Sequence, residues 1–484
     1  MFRCIFGEGN IYKNLLDGRW VDSQSGKRDQ IFSPTDGSLV GEVPATTPEE
    51  ADPFVKGAAQ AQRSWAKVPA SERADVLHKA ADILEREKEV IAGVLVREIA
   101  KNKKSSLSEV TRTADLIHFT AEEGKRLTGE SLSSGAFPGF HETKLSISNR
   151  VPLGVVLAIA PFNYPINLAA SKIAPALVAG NSVVFKPPTQ GAISALYFSR
   201  VLCEAGLPAG VLNVITGQGR AIGDYLVGHP LVNMVAFTGS SKVGKHIAGL
   251  TGMKPLLLEL GGKDAAIVLE DADLSLAAQH IVAGAFSFSG QRCTAVKRIL
   301  VMESVADKLI GHLMPLVQAM TVGRPEDNAD ITPLISEEAG DFVQELIDDA
   351  VKKGAKLLIG NKRNKNLIYP ALFDKVTVDM RIAWEEPFGP VLPILRVKTI
   401  DEAVKITNDS EYGLQASVFS KNIDTVFGIA ARLDVGTIQV NGKTERGPDH
   451  FPFVGVKSSG MGTQGIRYSI EAMTRTKAVV LNFH

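Results

Sequence analysis

Five short apolar runs, at 155–160, 182–185, 211–215, 234–237 and 255–260, follow one another with segments of helical character between them. No other feature of the chain restricts its fold so far. Strands that alternate with helices pair in parallel through right-handed crossovers, so the alternation predicts a doubly wound parallel sheet. In such sheets ligands bind outside the carboxyl ends of the strands. The residues to inspect are therefore those just after each run: Asn163, Lys186, Gly217, Gly239, and Glu259 with Gly261.

A second α/β unit follows, with strand candidates at 265–269, 298–302, 415–419 and 436–440 and helices near 274–286 and 306–320. Upstream the chain reads as helix-rich. Thr47-Pro48-Glu49-Glu50 and Ser71-Glu72 each set a hydroxyl ahead of first-turn acids, and Val76, Leu77, Ala80, Ile83 and Leu84 then recur at helical spacing. A polar, glycine-rich stretch closing at 149–154 separates the two patterns. At 484 residues the chain exceeds a single core, since cores stop growing near roughly 250–300 residues, and two or three domains are expected.

Bulk properties remove whole classes of function. Lys plus Arg and Asp plus Glu both number 53, so there is no whole-chain basic field for nucleic acid. The longest smooth apolar run, 151–160, stops at Pro161 and is well short of the roughly 20 residues of a membrane helix; it reads as a buried strand, and no membrane partner is expected. The N-terminus carries no secretory pattern, which predicts a cytoplasmic location. Cys4, Cys203 and Cys293 are too few and too scattered for a disulfide framework or a zinc site, so no metal is expected and a reactive thiol is the use left for one of them.

Gly290-Gln291-Arg292-Cys293-Thr294 puts a thiol in a loop after a helix and beside a cation, which raises the thiolate fraction. A lone cysteine is more often a buried structural residue, and its company decides the matter. Glu259-Leu260-Gly261-Gly262-Lys263 ends a strand with a carboxylate followed by glycines, where the backbone turns sharply and a ligand can approach. Pro161-Phe162-Asn163-Tyr164-Pro165 sets an amide at another strand end, able to donate to an oxyanion. Nucleophile, base and oxyanion donor together make a covalent acyl-transfer site. For a cofactor, Phe237-Thr238-Gly239-Ser240-Ser241-Lys242 offers a strand end, a turn and a hydroxyl opening a helix able to hold phosphate. Lys186-Pro187-Pro188-Thr189 adds a cation and a hydroxyl, and Trp384-Glu385-Glu386-Pro387-Phe388-Gly389-Pro390 a carboxylate in a stiff turn.

Together these residues resemble the aldehyde dehydrogenase superfamily from about Tyr12 onwards, and Glu-Leu-Gly-Gly-Lys followed by Gly-Gln-x-Cys is highly specific to it. Residues 264–297, 381–394, 408–417 and 443–447 are most similar to the branch that oxidises glyceraldehyde 3-phosphate with NADP and without inorganic phosphate. The resemblance implies Cys293 as nucleophile, Asn163 with the Cys293 backbone N–H as oxyanion site, and Glu259 as the base that activates water against a thioester. It implies Lys186 and Thr189 at the adenosine ribose and its 2′-phosphate, Gly239 and Ser240 at the pyrophosphate, and Glu386 with Phe388 at the nicotinamide end. Many NAD-preferring relatives carry Glu where Thr189 stands; Thr removes a repulsion and favours NADP.

The substrate pocket maps onto Arg112, Tyr164, Arg292, Thr294 and Arg446, and three arginines converging there suit a phosphate dianion. By the same resemblance the fold is aldehyde dehydrogenase-like: a doubly wound cofactor domain, a second α/β catalytic domain and a small β oligomerisation element. The expected division is 1–128 and 151–260 for the cofactor domain, 129–150 for an oligomerisation hairpin, 261–446 for the catalytic domain, and 447–484 for a return segment with a final oligomerisation strand. A homotetramer, as a dimer of dimers, is expected by analogy. Residues 1–10 match nothing in the family and are expected to be an unstructured leader. The rival readings are another dehydrogenase for an anionic aldehyde such as succinic semialdehyde, a CoA-acylating enzyme, and a catalytically silent protein on the same fold.

Overall fold

The computed structural model describes residues 1–483. Two large sheets organise it, each with a hydrophobic cluster on both faces. The first has eight strands in the order Arg19–Val21, Asn14–Leu16, Leu212–Val214, Ser182–Lys186, Val155–Ile159, Val232–Thr238, Leu256–Glu259, Gly460–Met461. Its five central strands are mutually parallel, and chain order reverses at Val155–Ile159, which defines the crevice for a ligand. Val155–Ile159 and Ser182–Lys186 are buried along their whole length, as strands covered by helices on both faces must be. The register sets Ile159 beside Lys186 and Phe237, and Thr238 beside Glu259, so the strand ends form one row.

The second sheet has seven strands, in the order Lys356–Ile359, Ala371–Asp374, Val391–Val397, Arg298–Met302, Ala265–Val268, Gln415–Phe419, Thr437–Val440, and only the first pairs antiparallel. The strands at 371–374 and 391–397 were not among those anticipated. Pro390 and Pro393 mask the second; it is nonetheless central, with Pro393 opposite Phe373 on one side and just ahead of the first residue paired on the other, Ile394. Glu259 ends a strand of one sheet, Ala265 opens a strand of the other, and the short link between them carries the glycines. The outgoing edge of one sheet thus faces the incoming edge of the next.

The helical N-terminal part packs against the first sheet. Helix Pro48–Trp65 starts on the reciprocal bonds of Thr47 and Glu50, as its sequence indicates. Helix Ala70–Arg86 starts one residue ahead of Ser71, whose hydroxyl caps nothing, because extended Pro69 already sets the entry. Residues 1–10 are not an unstructured leader. Ile5 is fully buried, and the Phe2 ring lies 4.4 Å from that of Tyr197 on helix Ala192–Glu204, so apolar side chains too few to form a core of their own find one in place.

The apolar run 151–160 is not one strand. Strand Lys144–Pro152 ends before Gly154, whose φ of 134° breaks the extended path, and the buried strand begins at Val155. Lys144–Pro152 lies between Glu130–Ser133 and Thr474–Asn482 in a separate three-stranded antiparallel sheet that leaves Leu132, Ile147, Val479 and Leu481 exposed. No helix among the described residues is long and apolar enough to cross a membrane.

Candidate active site

A cavity of about 1020 Å³ runs along the carboxyl ends of the first sheet and ends at Cys293. Its walls include Asn163, Lys186, Thr189, Gly239, Ser240, Glu386 and Phe388, so residues from four separate loops meet in one space. Ser240 caps helix Ser241–Leu250 by accepting from Val243 N–H, and Ser240, Lys242 and Val243 set the start of that helix in the cavity wall. Lys186 is buried, and its ammonium donates to Pro187 O at 3.0 Å, its one bonded partner among the described residues. Burial pushes it down to about 8. A buried cation with donors to spare, on the same cavity wall as Thr189, fits a phosphorylated ribose.

Cys293 Sγ lies 3.9 Å from Glu259 Oε1, and Asn163 reaches the same end of the cavity. Asn163 Nδ2 donates to Gln291 O at 2.9 Å, which uses one of its two protons and holds the amide against the cysteine loop. The Cys293 backbone N–H makes no hydrogen bond among the described residues, so it is free to donate. That loop is held under strain. Phe288 and Ser289 take positive φ, as does Phe388 opposite, and at Gly290 a Cβ would stand 2.3 Å from Gly389 O. The glycine of the Gly-Gln-x-Cys motif is therefore a contact between the cysteine loop and the Glu386 loop.

The glycines after Glu259 serve a different end from the sharp turn expected of them. Neither takes positive φ; a Cβ at Gly261 would meet Glu386 Oε2 at 2.4 Å, and Gly262 N–H donates to Glu386 Oε1 at 3.1 Å. They give the Glu386 carboxylate its close approach. Lys297 then pairs with Glu386 at 3.1 Å and also bonds Cys293 O.

Electrostatics correct the view that Arg292 activates the thiol. Burial, with the Glu259 carboxylate second, pushes Cys293 up to about 12. The cation that opposes this is Lys297, whereas the Arg292 guanidinium turns away to donate to Gly284 O at 2.6 Å. Burial would raise Glu259 too, yet the Arg446 guanidinium and the Lys172 ammonium outweigh it and hold the carboxyl below its ordinary value. Arg446 Nη1 sits 2.5 Å from Glu259 Oε2, and Thr238 Oγ1 donates to the same oxygen at 3.1 Å.

The three arginines do not converge as free guanidiniums. Arg112 forms a two-point pair with Asp449 at 2.7 and 2.8 Å and also donates to Arg446 O. Arg446 is divided between Glu259 and Gln464, with Asp449 3.7 Å from its Nε. Arg112 and Arg446 are thus brought together with their counter-charges, and Arg292 stands apart. Thr294 is buried, with its carbonyl fixed by the Thr444 hydroxyl.

Several residues that shape the site escaped the sequence reading. Lys101 and Glu109 form a fully buried pair; Lys101 donates to Asn163 O at 2.6 Å and lies 3.7 Å from the Tyr164 ring centre, while Glu109 receives Ile166 and Asn167 N–H. This pair holds the Asn163 turn from beneath. Glu98 caps helix Ala192–Glu204 through Gly191, Ile193 and Ser194 N–H and so fixes the end of the Lys186–Thr189 loop. Lys172 donates to Thr238 Oγ1 at 2.5 Å, and burial pushes it down to about 7. One signal was available: Glu98, Glu109 and Lys172 are charges at positions where the helical pattern calls for apolar residues.

A doubly wound sheet with a cavity at its switch point, closing on a cysteine that a second α/β sheet presents, defines a nucleotide-dependent dehydrogenase fold, and the chain belongs to the aldehyde dehydrogenase family, whose pattern matches residues 20–479. It is 58% identical over 471 residues to the NADP-dependent glyceraldehyde-3-phosphate dehydrogenase of Streptococcus equinus, covering 97% of this chain and 98% of that one. The enzyme of the same name from Pisum sativum is 51% identical, with 98% and 96% covered. The crystal structure of the Bacillus halodurans C-125 enzyme of that name, complexed with NADP, superposes with a TM-score of 0.97 at 54% identity, covering 98% of this chain and 99% of that one.

Proposed function

We propose that this chain oxidises D-glyceraldehyde 3-phosphate to 3-phosphoglycerate with NADP and water, consuming no inorganic phosphate. The observation that carries the reading is that Cys293, with Glu259 3.9 Å from its Sγ, and Asn163 border one cavity whose other walls suit a 2′-phosphorylated dinucleotide. Lys186 and Thr189 would hold the ribose phosphate, Gly239 and Ser240 the pyrophosphate, and Glu386 and Phe388 the nicotinamide end. NADP, when bound, supplies the hydride acceptor.

Cys293 Sγ attacks the aldehyde carbon as the thiolate, its proton having passed to solvent water, and the new oxyanion takes hydrogen bonds from Asn163 Nδ2 and the Cys293 N–H. Loss of hydride from this thiohemiacetal leaves a thioester on Cys293. Glu259 then removes a proton from the water that hydrolyses it. Arg112 and Arg446, with Tyr164 and Thr294, would form the substrate end, where an incoming phosphate competes with Asp449 and Glu259 for two guanidiniums. A carboxylate-tailed aldehyde such as succinic semialdehyde is the competing substrate.

Three free cysteines support a reducing, cytoplasmic location, and the exposed apolar side chains of the small three-stranded sheet support a homotetramer built as a dimer of dimers. The deciding assay follows NADPH absorbance with glyceraldehyde 3-phosphate and NADP in phosphate-free buffer. The expected result is full turnover without phosphate and less with NAD. Dependence on added phosphate, or faster turnover of succinic semialdehyde, would overturn the assignment.

A further inference from the structure

Gly217, one of the strand-end residues marked by the sequence, has no part in the chemistry above. It takes a φ of 143°, and a Cβ there would stand 3.1 Å from Ile222 Cδ1 and 3.3 Å from Thr46 O. The turn it makes after strand Leu212–Val214 delivers Gln218 as the residue ahead of helix Gly219–Gly228 and puts Arg220 in that helix's first turn. Gly219 and Arg220 line the same cavity as Lys186 and Thr189.

Arg220 is exposed, and most exposed arginines are merely solvated. This one is held. Its Nε donates to Gln218 Oε1 at 2.8 Å, and Gln218 Nε2 donates onward at 2.6 Å to Oδ1 of Asp29, on strand Arg28–Phe32. The bridge occupies only the Nε edge of the guanidinium; among the described residues its Nη groups have no partner and no carboxylate pairs with it. Asp29 also stands within charge range of Lys186, where it opposes the effect of burial on the ammonium. One carboxylate thus backs two cations of the cavity, one through space and the other through an amide.

Strand order decides which part of the cofactor Arg220 meets. Leu212–Val214 lies beside Ser182–Lys186, with Val214 opposite Phe185. Val232–Thr238, which leads to Gly239 and Ser240, is three strands further along the sheet from Leu212–Val214. At about 4.8 Å per strand this separates the two helix starts by about 14 Å. The guanidinium therefore stands with the ribose-phosphate residues and away from the pyrophosphate turn, and its Nη pair matches two oxygens of one phosphate. We propose that Arg220 is a specificity-determining residue that grips the 2′-phosphate of NADP beside Lys186 and Thr189, and that Gln218 positions it by linking it to Asp29. The inference rests on the placement of that phosphate at Lys186 and Thr189.

The test is calorimetric titration with 2′,5′-ADP and 5′-AMP, two fragments that differ by the phosphate in question and need no turnover. The wild type should bind 2′,5′-ADP more tightly than 5′-AMP. Arg220→Ala should weaken 2′,5′-ADP by about 10–100-fold, the range for a hydrogen bond to a charged group, and leave 5′-AMP unchanged, which also shows the variant folded. Gln218→Leu should weaken 2′,5′-ADP by about 2–10-fold, and by nothing further once Arg220 is already alanine. Equal affinity of wild type and Arg220→Ala for 2′,5′-ADP would overturn the role of Arg220 while the 2′-phosphate site stands. A wild type that cannot tell the two fragments apart would take the placement at Lys186 and Thr189 down with it. Additive losses in the double variant would remove the Gln218 bridge.

Discussion

The two ends of the long cavity are prepared in opposite ways. At the dinucleotide end, Lys186 has donors to spare and Ser240 opens a helix N-terminus, so the walls wait for a ligand's charge. At the thiol end the main charges already have counter-charges: Arg446 with Glu259, Arg112 with Asp449, Lys297 with Glu386, beside a thiol kept protonated. One end is preorganised by leaving charges unmet, the other by neutralising them until the substrate arrives. A dianionic substrate pays for entry by taking over guanidiniums, whereas the cofactor displaces nothing.

Removing the base tests the self-neutralised end most severely. Glu259→Ala should keep a stoichiometric burst of NADPH while steady turnover falls by about 10²–10⁴, read in a stopped-flow trace; a lost burst with intact cofactor binding would move Glu259 to an earlier step. Asn163→Ala should lose about 10²–10³ in the burst rate itself, since it removes one of two oxyanion donors. At the open end, Thr189→Glu should weaken NADP relative to NAD by about 10–100-fold in kcat/KM, by setting a carboxylate against the 2′-phosphate.

Two smaller effects are read against pH. Lys186 is charged below about 8 in the free protein, and above that pH NADP can bind only with uptake of a proton. Its KM should therefore rise as pH climbs from 7 to 9, by about tenfold at most, and Lys186→Gln should be weaker throughout and flat across that range. Arg446→Ala removes the larger of the two cations that hold Glu259 below its ordinary value and leaves burial opposed only by Lys172 and the Thr238 hydroxyl. A depressed carboxyl keeps the base ionised as pH falls, so the acid limb of kcat should move to higher pH in this variant. An unchanged limb would separate the Glu259–Arg446 pair from hydrolysis.

The same contrast governs what could be read in the sequence. The five central strands of the first sheet and the loops after them were legible, because short β-branched runs and glycine turns are local signals, and the cofactor wall is built from such loops. The state of the thiol was not. Arg292 adjoins Cys293 in the chain but points to Gly284, while Lys297, four residues on, reaches the Cys293 carbonyl and Glu386. Asp449 takes up Arg112 from 337 residues away, a separation no local pattern reports. The Lys101–Glu109 support of Asn163 was hidden for the same reason, although a carboxylate on the buried stripe of a helix was there to be questioned.

Strand Gly460–Met461 completes the first sheet beside Leu256–Glu259, after the chain has laid down the whole second sheet. As the polypeptide leaves the ribosome, the strand that ends in Glu259 therefore waits as an open edge, able to recruit other nascent chains, until residue 461 has emerged. Chaperone demand during synthesis should peak in that interval, and a ribosome stalled before it ends would hold a protein with both sheets begun and its hydrolytic strand still unsealed.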